Sequence, residues 1–373
     1  MNQPKGATVI DTTANRLRFS ATLEPALGSR FQPTGFPDLG AAEFTSYNDK
    51  GEPVASLLVE SVQSVANRLE ATAWDPAAQT PQAFLADLPH VEVRAADDQR
   101  FLTSSRLEAH RLASAFVRDS THDGRPMLEH ITERLGLVNH KPLHHQSMAA
   151  ALMSLDPFSL LHGCFFNQAA WFGQPRFARA VSGVIEAHGV EQAVSGGRKS
   201  DTVQHKNTKS SDDDTETTKG SAEGYGSIPF HRIEYTARTI TADFTIDTQL
   251  LRSYNLPDPT TELLTALALW EIRVFLRDGL RLRTACDLDL LHVESRTGHE
   301  LPDADTLATR ITELMPSATA HLTHTGPLTV HWADGKTAKS TKGSKKTAKK
   351  TAAPTQRTAA DQASLTDTEV TAP

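Results

Sequence analysis

The sequence predicts an α+β fold, a sheet carrying its helices on one face. Three observations lead there. Leu17, Phe19, Ala21 and Leu23 alternate with Arg18, Ser20 and Thr22, the period of a half-buried strand. Leu58, Val62, Val65 and Leu69 fall at i, i+4, i+7 and i+11, which predicts a helix over Leu57–Ala71. Leu263, Leu267, Trp270 and Val274 make a helical row within Thr261–Asp278, and Leu280–Leu290 then returns to strand character.

The remaining elements follow in order. Ser104–Val117 reads as a second helix with Ser104 as its N-cap. Ile228–Asp247 is extended, but its apolar phase changes: Ile233, Tyr235 and Ala237 share one face, and Ile240, Ala242, Phe244 and Ile246 the other. A bulge or a break near Arg238–Thr239 is implied. Gly279 fits as the stop of the Thr261–Asp278 helix. Strand, helix, a long middle, then strand, helix, strand suits a ferredoxin-like core with large insertions.

Two segments depart from globular composition. Ser195–Gly226 is rich in Ser, Asp, Lys, Thr and Gly, and is expected to be a mobile insertion. Residues 335–373 form a Lys-rich tail expected to be disordered, serving either solubility or loose phosphate contact. The expected organisation is one domain over 1–334, with the insertion at about 195–226, followed by that tail.

The 373 residues carry a net charge of −7, which disfavours a simple nucleic-acid binder without excluding a local basic groove. No uninterrupted apolar run is long enough to span a membrane, and the first residues lack a signal-peptide pattern, so a cytoplasmic protein with no membrane partner is expected. Cys164 and Cys286 sit far apart among apolar neighbours and read as reduced, buried thiols.

The sequence carries no complete catalytic pattern. Gly335-Lys336-Thr337 lacks the earlier glycine of a phosphate-binding loop, because Val330 stands there. Gly224-Tyr225-Gly226 lacks the third glycine of a dinucleotide fingerprint, and there is no Gly-x-Ser-x-Gly elbow. His140, His144 and His145 are not joined by an HExxH pattern, so neither metal nor cofactor is expected. His110 lies beside Glu108 and Arg111, either as a structural histidine or as a general base without an evident nucleophile.

Other residues point to a sugar-phosphate contact. Ser61, Gln63, Ser64, Asn67 and Arg68 fall on the polar side of the first helix, as a solvated face or as donors to a ribose-phosphate backbone. The loop Gly28–Gly40, with Arg30, Gln32 and Thr34, is either a turn cluster or a close approach of main chain to phosphate. Arg281 and Arg283 alternate with Leu280 and Leu282, so both point to one face of a strand. Aromatic content of 6% argues against base stacking as the main source of affinity.

Six stretches, taken together and in order, resemble a known family: Gly28–Gly40, Leu57–Glu70, Ser104–Ser114, Ser159–Phe166, His231–Phe244 and Gly279–Leu290. They are similar to the backbone subunit of the type I-G CRISPR effector complex, formerly type I-U, in the Cas-seven lineage of the RAMP superfamily. The likeness spans most of residues 15–295. It implies an RRM-like (ferredoxin-like) palm with finger and thumb insertions. It also implies a non-catalytic, Cascade-like subunit that stacks in copies along a CRISPR RNA beside other effector subunits. Target DNA is then met through guide pairing, in defence against invading DNA. In related subunits a Ser-Gln helix with basic residues lies along the RNA, which carries over to Ser61, Gln63, Ser64, Asn67 and Arg68. Asn67 and Arg68 stand where relatives often carry two cations. A scaffold that accepts any guide must hold phosphates and sugars rather than read bases. The RNA-binding set expected here is therefore Arg30, Gln32, Ser61, Gln63, Ser64, Asn67, Arg68, Arg106, His110, Arg111, Arg232, Arg281 and Arg283, each arginine having a surface ion pair as its alternative. A RAMP-type endoribonuclease with His110 as base is the competing function, and a protein-only assembly module a third.

Overall fold

A computed structural model describes residues 10, 12–36, 40–200 and 227–333. Residues 10–332 form one compact unit, and the second unit, Ala333–Pro373, falls outside the described residues beyond its first position. In chain order the principal elements are β1 (Leu17–Pro25), β2 (Glu43–Tyr47), β3 (Pro53–Glu60), α1 (Val62–Ala71), β4 (His90–Ala95) and β5 (Phe101–Ser104). Helices α2 (Met127–Arg134) and α3 (His145–Leu155) follow. Then come β6 (Val181–His188), β7 (Glu191–Ser200), β8 (Ser227–Thr236) and β9 (Thr239–Ile246). The last are α4 (Asp258–Asp278), β10 (Arg281–Arg283), β11 (Cys286–Ser295), α5 (Ala304–Thr319) and β12 (Pro327–Trp332).

The main sheet is antiparallel with strand order β10-β11-β1-β9-β6-β3-β2. Side-chain alternation builds its core. Phe19 faces Phe244 across β1 and β9, and Gly183 of β6 lies on the other side of Phe244. α1 packs on β6, and α4 packs on both α1 and β9. A second sheet runs Arg125–Pro126, Thr121–His122, β12, β4, β5, with β12 parallel to β4. β7 and β8 pair residue for residue as a ribbon between β6 and β9, so the two strands predicted across Arg238–Thr239 are separate elements.

α4 is the best-specified helix. Leu263, Leu267, Trp270 and Val274 are all buried, and each such side chain contributes about 1.5–3 kcal/mol on leaving water. Gly279 ends it with φ −100°, outside the left-handed region. The glycine is needed for space: a Cβ there would lie 2.5 Å from the Phe275 ring. Both cysteines are buried and free.

Three expected elements differ. The helix predicted from Leu57 begins at Val62; Leu57–Glu60 belongs to β3, which pairs with β2 on one side and β6 on the other. Two ladders outweigh local helical spacing. As a result Leu58 lies in the strand and Val62 is 40% exposed, while Val65, Ala66, Leu69 and Glu70 form the buried face of α1. Ser104–Val117 is not one helix. Ser104 ends β5, a 3₁₀ turn covers Arg111–Ala113, and a short helix Ala115–Arg118 is capped by Ser114. Arg111 has φ +50°, which breaks any continuous helix. Finally, residues 195–200 of the expected insertion are ladder-paired in β7, while 201–226, like the tail at 335–373, lie outside the described residues.

Candidate nucleic-acid interface

α1 starts where β3 ends. Ser61, in extended conformation, caps the helix by accepting from the Ser64 N–H at 3.3 Å, so its hydroxyl is partly spent on structure. One turn on, the Gln63 side-chain amide donates to Asn67 at 3.1 Å, and Arg179 donates to the Gln63 carbonyl oxygen. Gln63 and Asn67 are exposed and form a polar ridge.

Beneath that ridge is a knot around Glu60, a buried carboxylate. Ser64 Oγ donates to Glu60 Oε1, and Arg68 Nε donates to the same oxygen at 3.1 Å. Arg283 pairs with Glu60 Oε2. The remaining donors fix the surroundings: Arg68 to the Leu282 carbonyl, Arg283 to the Gln32 carbonyl at 3.3 Å. Burial lowers the pKa of Arg68 from its ordinary value. One carboxylate offsets only one of two guanidiniums, leaving a positive charge at the half-buried Arg68 and Arg283.

A second knot lies beside it. Arg30 and Arg232 both face Glu234, at 3.2 and 3.6 Å. Phe31 bridges Tyr235 of β8 through reciprocal main-chain bonds of 2.9 Å, and the Gln32 N–H donates to the Ala285 carbonyl at 2.7 Å. The Arg30–Gln32 segment is thus clamped between β8 and the β10–β11 turn. Arg281, on β10, is exposed, and its side chain has no partner among the described residues. Arg30, Gln32, Arg68, Arg232 and Arg283, scattered over 254 positions of sequence, are brought to one junction, and Arg281 lies two residues from Arg283 on β10. The Glu60 knot has an excess of cation, and neither knot presents an exposed stacking aromatic, an arrangement suited to phosphates.

Three expected residues are elsewhere. Arg106 is 3% exposed; it lies 3.7 Å from Asp156, donates to the Leu88 and Pro89 carbonyls, and sits 4.3 Å over the Phe158 ring. Arg111 is 4% exposed, with Nε and Nη2 on Glu70 and Nη1 on the Gly163 carbonyl at 3.0 Å. Both guanidiniums are buried and held by interior partners. The cause is a set of buried carboxylates that only the fold brings near: burial pushes the Glu70 and Asp156 pKa values up, against the pull of these arginines. His110 is exposed on the 3₁₀ turn, away from the α1 ridge's hydrogen bonds, and its ring has no partner among the described residues.

Glu60, Glu234 and Arg179 escaped sequence reasoning. Glu60 had a local signal, an acid directly before the cap Ser61; the other two had none. The histidine run divides: His144 caps α3 through Ser147, and His145 stacks on Phe177 with ring centres 4.6 Å apart. Among the described residues no group of histidines, cysteines and carboxylates is placed to hold a metal ion, and no helix is long and apolar enough to cross a membrane.

Comparison with known proteins gives distant likenesses. No curated protein matches. A chain of a "CRISPR RNA-guided surveillance complex, pre-nicking" is 14% identical, over 76% of this chain and 77% of that one, with a TM-score of 0.37. Csc2 of Thermofilum pendens is 9% identical, over 83% of this chain and 78% of that one, with a TM-score of 0.30. Residues 17–192, which hold β1, Glu60, α1 and β6, match the family described as CRISPR-associated protein GSU0053, and this part of the chain is similar to that family.

Proposed function

We propose that the protein is a non-catalytic CRISPR RNA-binding backbone subunit, which stacks in copies along a guide in a type I-G (Cascade-like) effector complex. The observation that carries this reading is the match of residues 17–192 to a CRISPR-associated family, over the stretch that contains the Ser61–Arg68 segment. The geometry supports it. A Gln63–Asn67 ridge, Arg281, and the Glu60 knot with its surplus positive charge offer donors to phosphates and sugars, and leave guide bases free for target DNA. The order β11-β1-β9-β6, with α1 and α4 in the two crossovers, supports an RRM-like palm, on which the β7–β8 ribbon is an insertion between the adjacent strands β6 and β9. In this reading no cleavage is done here: the ring of His110, the base an endoribonuclease would need, has no hydrogen-bond or ion-pair partner among the described residues to orient it, and Glu108 accepts from Thr103 at 2.7 Å.

Sequencing the nucleic acid that copurifies with the full chain tests the proposal. RNA with constant repeat-derived ends and varied interiors is expected. Recovery of no RNA, or of RNA without such ends, overturns it; cleavage of repeat RNA that is lost in His110→Ala overturns the non-catalytic part.

A further inference from the structure

A second basic site lies at the far end of β1. Arg18, the second residue of this strand, points to the sheet face opposite the helices, as its register partner Thr245 does. Two adjoining clefts share it. One, of about 470 Å³, is lined by Asn15, Arg16, Gln249 and Thr297. The other, of about 410 Å³, includes Asp243 and Arg296. Three guanidiniums and one carboxylate therefore line the pair.

The cations are not equally engaged. Arg16 is 3.6 Å from Asp247, and Arg296 donates to Ser20 Oγ at 3.3 Å. Arg18 is exposed, and its guanidinium has no partner among the described residues. Its backbone is nonetheless fixed: its N–H donates to Thr297 Oγ1 at 3.3 Å, and its carbonyl accepts from Arg296 at 2.9 Å. Arg252 holds the approach to β1 through the Ala14 carbonyl at 3.0 Å and Asn15 Oδ1 at 2.8 Å. Glu294, opposite Ser20, faces His292 at 3.4 Å. A free cation on a rigid strand, between two clefts and flanked by two more cations, suits a flexible chain of repeated anions better than a single anion. The aromatics here, Phe19 and Phe244, are buried in the core and offer no stacking surface.

We propose that these clefts bind successive phosphates of a single-stranded nucleic acid, as a contact separate from the Glu60 junction. From Arg18 to Pro25, beyond which the chain enters the Arg30–Gln32 segment, β1 runs roughly 23 Å, at about 3.3 Å per residue. The inference takes from the proposed function only that the ligand is a nucleic acid.

Anisotropy titrations of labelled single-stranded RNA, and of DNA of the same length, against the full chain over a range of KCl test it. Arg18→Glu and Arg281→Glu are each compared with the wild type; both positions are exposed, so the fold is expected to survive, and circular dichroism checks this. Arg18→Glu is expected to weaken binding by roughly an order of magnitude and to flatten the log K against log salt slope by about 0.7 per phosphate lost. Loss in Arg281→Glu with Arg18→Glu unchanged overturns this inference and leaves the guide interface standing. Loss in Arg18→Glu alone supports it and removes the guide interface. Failure of the wild type to bind either polymer overturns both. Displacement of the polymer by inorganic phosphate at equal phosphate concentration would mark a single-anion site, which also overturns the proposal.

Discussion

Arg111 sets Nε and Nη2 against the two oxygens of Glu70 at 2.9 and 2.7 Å, inside the molecule. The partners lie 41 positions apart, on a 3₁₀ turn and on the buried face of α1. The pair therefore ties the segment after β5 to the helix that carries the candidate interface.

Removing one partner strands the other. Arg111→Met should cost about 3–5 kcal/mol, because the Glu70 carboxylate would stay buried without its cation. Urea unfolding measures this. A loss of RNA affinity at undiminished stability would instead mean that Arg111 touches ligand.

The cap of α1 is a smaller effect. Ser61→Ala removes the acceptor for the Ser64 N–H and should cost about 1 kcal/mol. Thermal melting reads the shift. Stability equal to the wild type would show that the helix start is held by β3 alone.

Gly183 admits α1 to the sheet. A Cβ there would lie 2.6 Å from the Phe244 ring and 2.9 Å from Val65 Cγ1. Gly183→Ala should destabilise by about 1–3 kcal/mol through overpacking. It should also displace α1, so RNA affinity is expected to fall although no ligand contact is removed. Full affinity together with full stability would contradict this packing.

His90 couples stability to acidity. Burial, then the nearby Arg106 charge, lowers its pKa to about 4 from 6.5, and Nδ1 is 3.1 Å from the Leu88 carbonyl. The unfolded chain takes the proton first. The contribution of His90 is complete above pH 6.5 and is lost as pH falls toward about 4, up to about 3 kcal/mol in all. His90→Gln should flatten that part of the curve of unfolding free energy against pH. An unchanged slope would place the titration elsewhere.

Asn67 stands on the exposed ridge at a position where a second cation can be added. Asn67→Arg is expected to tighten RNA binding several-fold and to steepen the salt dependence by about 0.7, one added phosphate contact. Filter binding at several salt concentrations decides. An unaltered slope would mean that the ridge does not face the backbone.

What could be read in advance followed local periodicity. The alternation in Leu17–Leu23 appears as β1, the row Leu263–Val274 as the buried core of α4, and the phase change at Arg238–Thr239 as the junction of β8 and β9. Leu57–Glu60 misled because a short apolar run suits either element, and its two strand partners lie far away in sequence or across a hairpin. Arg106 and Arg111 misled for a related reason. An arginine in isolation is expected at the surface, and the buried carboxylates that keep these two inside, Asp156 and Glu70, share no spacing with them. Arg30, Arg68, Arg232 and Arg283 were identifiable by residue type, whereas their convergence on Glu60 and Glu234 is a property of the folded chain alone.

The main sheet closes on its two sides in different ways. On one side it ends in the five-residue β2; on the other, β11 is shielded only by the three-residue β10, shifts register against β1 near Leu290–His292, and carries Asp289, His292 and Glu294. Short, bent or charged margins discourage a foreign strand from joining the ladder. In the assembly proposed above, neighbouring copies would then touch through side chains, and the repeat between them would be set by the nucleic acid they share instead of by a hydrogen-bonded sheet running from molecule to molecule.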